Sequence, residues 1–217
     1  MDILYPDLTT VREIIVAGWA GRDAEDVKHH IDELAALGVS PPSAVPLFYR
    51  VGHETLSTSS VIDVLGGQTS GEVEPVLLWT ENGLLVGVGS DHTDREAEAY
   101  SIALSKQVCP KVAGLAFWRF EDVASRWDQL VLRSFTAGRE PYQQGATASL
   151  LNPLDLVSCW EEREGRIFGA GCMMFCGTVP TLNGIAPAES LTVELHDPQT
   201  GSSLSHHYVV RELPVVV

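Results

Sequence analysis

The chain has 217 residues, enough for one large domain or two small ones. No segment reads as a linker, so a single domain over residues 1–217 is expected. Its 45% apolar and 20% charged residues suit a globular core, and the net charge of −15 weighs against nucleic acid and against an anionic membrane surface.

The opening MDILYPDLTT has no basic segment leading into an apolar run, and no apolar stretch approaches ~20 residues. Neither a signal peptide nor a membrane-spanning helix is therefore expected. Val11–Trp19 reads as a first buried strand. RDAEDVKHHIDELAALG follows as a helix, with Asp23 as N-cap, acids in the first turn and Gly38 placed to end it. Val27, Ile31, Leu34 and Leu37 recur at helical spacing and give that helix one apolar face. SPPSAVP breaks the chain before the strand LFYRV, and Val61 to Val88 is strand-like around GGQTSG. DREAEAYSIALSK predicts a helix, WDQLVLRSF a strand and TASLLNPLDLVSCW a short helix. The last third is glycine-punctuated strand with DPQTG as a hairpin turn. Strands dominate and helices do not alternate with them, which excludes a doubly wound plan and predicts an α+β fold with a large mixed or antiparallel sheet.

Cys109, Cys159, Cys172 and Cys176 form no paired CxxC spacing, and three sit among apolar neighbours. They read as free thiols in a reducing cytoplasm rather than as a disulfide or zinc site.

Asn82-Gly83 is the strongest hairpin signal in the chain. With those residues as a two-residue turn, Glu74 faces Asp91 and Glu72 faces Thr93. Glu72 and Glu74 share a face because strand side chains alternate. Directly opposed Cβ atoms lie about 4.5–5.5 Å apart, so these acids repel unless something neutralises them. Two readings stand. Either the acids lie beyond frayed hairpin ends, in water, with Pro75 marking an edge or bulge, or three carboxylates hold a divalent cation of the Mg²⁺ or Mn²⁺ kind. Thr93 and Glu96 have the spacing of a capping box and would start the next helix. Arg95 then falls in the first helical turn, paired with Glu98 or with an anion in a site.

These residues, in this order, resemble the fumarylacetoacetate hydrolase superfamily. HIDE supplies His30 and Glu33, EVE supplies Glu72 and Glu74, and SDHTDRE supplies Asp91, Thr93, Arg95 and Glu96. SKQVCPKVAG gives Lys106, AGREPYQQGAT gives Gln143 and Thr147, and CGTVP gives Gly177 and Thr178. Order and spacing carry the resemblance more than any single motif. The chain departs from the family in the bare hairpin between the acid pair and the junction, in Ser90 where the family has Asn, in Val179 inserted in the Gly-Thr-Pro loop, and in Pro75.

The resemblance implies a mixed β-roll with few short helices, a cytoplasmic homodimer, and an enzyme acting on a small 2-oxo acid. It implies Mg²⁺ or Mn²⁺ on Glu72, Glu74 and Asp91, with enolate chemistry in an acylpyruvate-type carbon–carbon bond hydrolase or an oxo-acid decarboxylase. A 2-oxo-3-deoxy sugar acid dehydratase and a non-catalytic oxo-acid-binding member are the alternatives. His30, oriented by Glu33, is implied as the acid–base dyad, against the plain reading of a surface histidine beside His29. Lys106 is implied as a cation on the substrate oxygens, and Arg95, Gln143 and Thr178 as substrate contacts. His92, His206 and His207 have no counterpart in the family and read as structural or exposed.

Overall fold

The computed structural model describes residues 1–36 and 41–216; within the first helix it leaves out the side chains of residues 30 and 33–36. In chain order the strands are β1 (Glu13–Gly18), β2 (Leu47–Val51), β3 (Leu56–Ser57), β4 (Val61–Leu65), β5 (Thr69–Ser70), β6 (Val73–Thr80), β7 (Gly83–Asp91) and β8 (Thr93–Asp94). They continue as β9 (Lys111–Ala113), β10 (Trp118–Arg119), β11 (Val131–Phe135), β12 (Pro141–Ala146), β13 (Cys172–Phe175), β14 (Ser190–Asp197) and β15 (Ser202–Leu213). The helices are α1 (Ala24–Ala36), α2 (Arg95–Tyr100), α3 (Ile102–Val108), α4 (Phe120–Ala124) and α5 (Pro153–Glu164). Among the described residues no helix is long and apolar enough to cross a membrane.

The larger sheet runs β2-β1-β13-β6-β7-β9-β3, with β10 also on β7. It is mixed: β1 pairs β13 and β3 pairs β9 in parallel, and its other pairs are antiparallel. The smaller sheet runs β12-β11-β14-β15-β4, with β4 parallel to β15 at its edge. This is the strand-dominated α+β fold expected from the sequence.

Both faces of the large sheet are covered, which is why β6 reads as a nearly continuous apolar run rather than an alternating one. Ile15, Leu77, Val86, Val88 and Val112 pack with Leu132, Val193, Leu195, Leu204 and Tyr208 of the smaller sheet. On the opposite face Ile14, Val16, Val76, Leu78, Phe117 and Phe175 form a second cluster, closed by Leu4 and Leu8 of the N-terminal segment.

Local chemistry sets most element ends. Asp23 caps α1, its Oδ1 accepting from the N–H groups of Glu25 (2.8 Å) and Asp26 (3.2 Å). Gly38, expected to end α1, lies outside the described residues. Asn152 caps α5, and Gly165 ends it in the left-handed region at φ 66°.

Several expectations are corrected. The hairpin turn is Glu81-Asn82, not Asn82-Gly83: Thr80 pairs with Gly83, so the register is displaced by two residues. The Thr80 side chain fixes it, accepting from Asn82 N–H (3.1 Å) and donating to the Gly83 carbonyl (2.9 Å). Asp94, not Thr93, caps α2, accepting from Glu96 and Ala97 N–H; Thr93 is a buried strand residue paired with Ser70. The helix expected over DREAEAYSIALSK is two, because Ser101 adopts extended backbone at φ −160° and caps α3. WDQ is a 3-10 turn and the strand begins only at Val131. Pro75 marks neither an edge nor the end of pairing: β6 is central, and the Pro75 carbonyl accepts from Cys176 N–H at 3.0 Å. All four cysteines are free.

Candidate metal site

The two-residue displacement of the hairpin leaves side-chain faces unchanged, because strand alternation has period two. Glu74 now stands opposite Gly89, and Asp91 N–H donates to the Glu72 carbonyl at 3.0 Å. Glu72, Glu74 and Asp91 still converge, and one carboxylate oxygen from each lies within 4.8 Å of the others. Glu74 and Asp91 are buried, whereas Glu72 is half-buried. The reading that put these acids in water at a frayed end is thereby set aside.

Each acid has a protein partner. Arg95 donates from Nη2 to Glu72 (3.1 Å), from Nη1 to Glu98 (2.8 Å) and from Nε to Ser70 Oγ (2.7 Å). It therefore pairs with its helical neighbour, as expected, and also with an acid of the cluster. Lys106, on the last turn of α3, donates to Asp91 Oδ2, and its ammonium lies 5.7 Å from the centre of the Tyr49 ring. Glu74 accepts from the backbone N–H of Gly177 at 2.7 Å. Gly177 sits at φ 93°, and a Cβ there would lie 3.0 Å from the Cβ of Ala20, so glycine allows this approach.

Lys111 was not anticipated. It is fully buried, with Nζ 2.8 Å from Asp91 Oδ1 and donating to the His92 carbonyl at 2.6 Å. The pairing of β7 with β9 sets Asp91 directly opposite Lys111. The available signal was the lone charge in an otherwise apolar CPKVAG stretch.

Electrostatics follow from this geometry. Burial pushes the Asp91 carboxyl up, but Lys106 and Lys111 outweigh it and hold Asp91 below its ordinary range. Burial would lower Lys106, yet Asp91, Glu72 and Glu74 raise it, so its ammonium stays charged. Glu74 is pushed well above the usual carboxylate range, first by burial and then by Asp91. Among the described residues it is the acid of the three with no cationic hydrogen-bond partner, and a divalent cation among these hard oxygen donors would supply the missing positive charge. The residues present fit Mg²⁺ or Mn²⁺.

Behind the acids lies a buried polar chain. His92 Nδ1 is 3.0 Å from Tyr208 Oη, His92 Nε2 is 2.9 Å from Thr69 Oγ1, and Tyr208 donates to Ser90 Oγ at 2.9 Å. Burial, with Lys111 and Arg95 adding to it, pushes His92 down to about 3, so it is a neutral structural imidazole.

Gln143 and Thr178 meet at the Gly177 loop. The Gln143 amide donates to Thr178 Oγ1 (2.8 Å) and the Val179 carbonyl (2.6 Å), and accepts from Val73 N–H (3.0 Å) and Ser134 Oγ (2.9 Å). All four of its hydrogen-bonding positions are used inside the protein, so it holds the loop in place. Thr178 donates to the Val73 carbonyl at 2.8 Å and is only half-buried. Thr147, which shares the sequence motif with Gln143, is buried and donates to the Trp127 and Leu130 carbonyls.

His30 and Glu33 lie on α1, and their side chains fall outside the described residues. The segment leading into α1 starts beside the site. Gly18 ends β1, Trp19 turns the chain at φ 57°, and Ala20 packs against Gly177. A tryptophan in the left-handed region is strained.

Comparison with known proteins agrees with this architecture. The structure resembles a protein described as a member of the fumarylacetoacetate hydrolase family from Yersinia pestis CO92, with TM-score 0.65, 20% identity, and 92% of this chain and 94% of that one covered. It also resembles 2-keto-3-deoxy-D-arabinonate dehydratase complexed with magnesium and 2,5-dioxopentanoate, with TM-score 0.62, 15% identity and coverages of 95% and 75%. A third is 2-hydroxyhepta-2,4-diene-1,7-dioate isomerase from Mycobacterium marinum, with TM-score 0.64, 12% identity and coverages of 94% and 75%. No curated protein matches the sequence. Residues 17–208 match the family described as protein of unknown function DUF2848. The chain belongs to that family, and its fold is that of the fumarylacetoacetate hydrolase proteins.

Proposed function

We propose that the protein is a metal-dependent enzyme acting on a 2-oxo acid through an enolate, as an acylpyruvate-type carbon–carbon bond hydrolase or an oxo-acid decarboxylase. The observation that carries this reading is the meeting of Glu72, Glu74 and Asp91 oxygens within 4.8 Å, with Lys106 and Arg95 on two of the three acids. Glu72, Glu74 and Asp91 would hold a Mg²⁺ or Mn²⁺ ion, which would supply a Lewis acid for enolate formation.

The chain's own residues do the rest. Lys106 is a compact charge that stabilises negative charge developing on the 2-oxo oxygen. Arg95, committed to Glu72, Glu98 and Ser70, fixes the Glu72 carboxylate and keeps two of its five N–H donors for the remainder of the substrate. Thr178, half-buried and with its hydroxyl held between Gln143 and the Val73 carbonyl, has one acceptor position left for the substrate. His30, oriented by Glu33, activates water or moves a proton once α1 lies over the acids. Dehydration of a 2-oxo-3-deoxy sugar acid is the second reading, favoured by the likeness to the magnesium-bound dehydratase.

The test has two parts. Mn²⁺ at about 100 times its Kd should stabilise the protein by about 2.7 kcal/mol on heating, and Asp91→Ala should lose that response; an unchanged response sinks the metal site. A screen of 2-oxo acids then separates carbon–carbon cleavage from loss of water. On the confirmed substrate, His30→Ala should keep the Mn²⁺ response and turn over about 10²–10⁴-fold more slowly. Wild-type turnover in that variant makes the dyad structural, and a metal response without turnover on any 2-oxo acid favours a non-catalytic binding protein.

A further inference from the structure

Lys111 is a buried charge that the proposed reaction does not use. It has no exposed surface, whereas Lys106 keeps a little. Its strand, β9, is paired on both edges, so that Lys111 stands opposite Asp91 of β7 on one side and Leu56 of β3 on the other. The ammonium gives an aligned hydrogen bond to the His92 carbonyl at 2.6 Å. Its contact with Asp91 Oδ1, at 2.8 Å, is one of charge, because that buried oxygen has no hydrogen-bond partner among the described residues. Asp91 thus gives one oxygen to Lys106 and keeps the other free of hydrogen bonds, beside a cation fixed by the sheet.

The cluster sets four carboxylates, Glu72, Glu74, Asp91 and Glu98, against three cations, Arg95, Lys106 and Lys111. With every acid ionised they leave one negative charge. A divalent cation therefore carries the cluster past neutrality, to a net positive charge in a largely buried place, and such a charge is costly unless paired. We propose that Lys111 is a fixed counter-charge that makes tight metal binding conditional on an anion. The divalent cation and a small chelating carboxylate are held together, and each alone is held weakly. Without Lys111 the same acids and one divalent cation would be neutral with no anion present. Having no exposed surface, Lys111 acts through Asp91 and not on the ligand, so its role is positioning rather than catalytic. The proposal rests on the reading of Glu72, Glu74 and Asp91 as a metal site and adds what governs the strength of that site.

Calorimetry with Mn²⁺ and oxalate tests this, with free Mn²⁺ corrected for the complex it forms with oxalate in solution. In wild type, saturating oxalate should tighten Mn²⁺ binding about 5–150-fold, the usual range for coupled ligands, and Mn²⁺ should tighten oxalate by the same factor. Lys111→Met should bind Mn²⁺ alone on the order of tenfold more tightly than wild type, because one positive charge beside the ion is gone. Oxalate should then add correspondingly less. Lys111→Gln keeps a donor for the His92 carbonyl and should behave likewise with less loss of stability. A lysine of merely structural value would weaken metal binding when lost, so tighter binding is the mark of a counter-charge. No Mn²⁺ binding by wild type, with or without oxalate, overturns the metal site and this inference with it. Mn²⁺ binding that oxalate changes by less than about twofold overturns the inference alone. So do folded Lys111 variants that bind Mn²⁺ no more tightly than wild type, and both results leave the metal site standing.

Discussion

At the tip of the β6–β7 hairpin the Thr80 hydroxyl bonds to Asn82 and Gly83 within the turn, and Glu81 and Asn82 are exposed. At its open end Glu74 depends on a residue 103 positions away, and Asp91 on lysines from α3 and β9. One hairpin thus joins a self-sufficient turn to a charged cluster that only the whole fold completes. The difference teaches where substitutions should matter. A local turn can be rebuilt by its neighbours, whereas a buried carboxylate stripped of a distant partner has no water to turn to.

The open end should break hardest at Lys111. Replacing it with Met strips a buried acid of one cation, and losing one partner of a buried pair costs about 3–5 kcal/mol. For a chain of this size each kcal/mol moves the melting temperature about 2–4 °C, so thermal unfolding should fall by on the order of 10 °C. A fall under about 2 °C would mean that Lys106 alone satisfies Asp91.

The turn joining β14 to β15 sharpens the contrast, because it is a turn that does contain a buried acid. Asp197 accepts from Arg126 Nε (2.8 Å), Thr200 Oγ1 (2.9 Å) and Gln199 N–H (3.0 Å). Burial pushes its carboxyl up, but these donors outweigh burial and hold it below the ordinary range. Its contribution is therefore present above the ordinary carboxylate pKa of about 3.9 and lost as pH falls through the lowered folded value. Asp197→Asn should lose about 1.5–3 kcal/mol near neutral pH, typical of hydrogen bonds to a charged group, and the gap to wild type should close in acid. Denaturant melts that keep the gap constant from neutral pH to strong acid would remove Asp197 from the account.

Gly177→Ala should cost about 1–2 kcal/mol from its positive φ, and it should also weaken the Mn²⁺ response, because the N–H on Glu74 moves with the backbone. A lower melting temperature with an unchanged Mn²⁺ response would separate the loop's conformation from the cluster. At the tip, Glu81→Ala should fall within about 0.5 kcal/mol of wild type, as exposed substitutions do. A loss above about 1.5 kcal/mol in the same melts would show that the tip is not self-sufficient.

The same division explains what the sequence disclosed. Strand dominance, the Asp23 cap, the DPQTG turn and the free thiols rest on local pattern, and they were legible. The hairpin was legible too, but Asn-Gly suggested a turn one residue further on than the Thr80 hydroxyl imposes. The three acids remained together because a displacement of two preserves alternation; a displacement of one would have scattered them. Lys111 was missed because its role depends on β9 lying beside β7, a pairing no short motif reveals. Gln143 resembled a ligand contact in its motif, and only the loop at Thr178 and Val179 shows that its amide is already used.

The place of β13 in the large sheet has a consequence for how the protein is made. It lies between β1 and β6, pairing with both, although it follows them by about a hundred residues or more in the chain. While the ribosome is still translating up to Phe175, the β1–β2 pair and the β6–β7 hairpin have no strand to join them, and each presents an open hydrogen-bonding edge. Gly177 follows directly, so the last strand to enter the large sheet also delivers the N–H that Glu74 accepts. A nascent chain therefore carries two exposed edges through most of its synthesis, and it is most exposed to mispairing and chaperone capture just before the charged cluster can form.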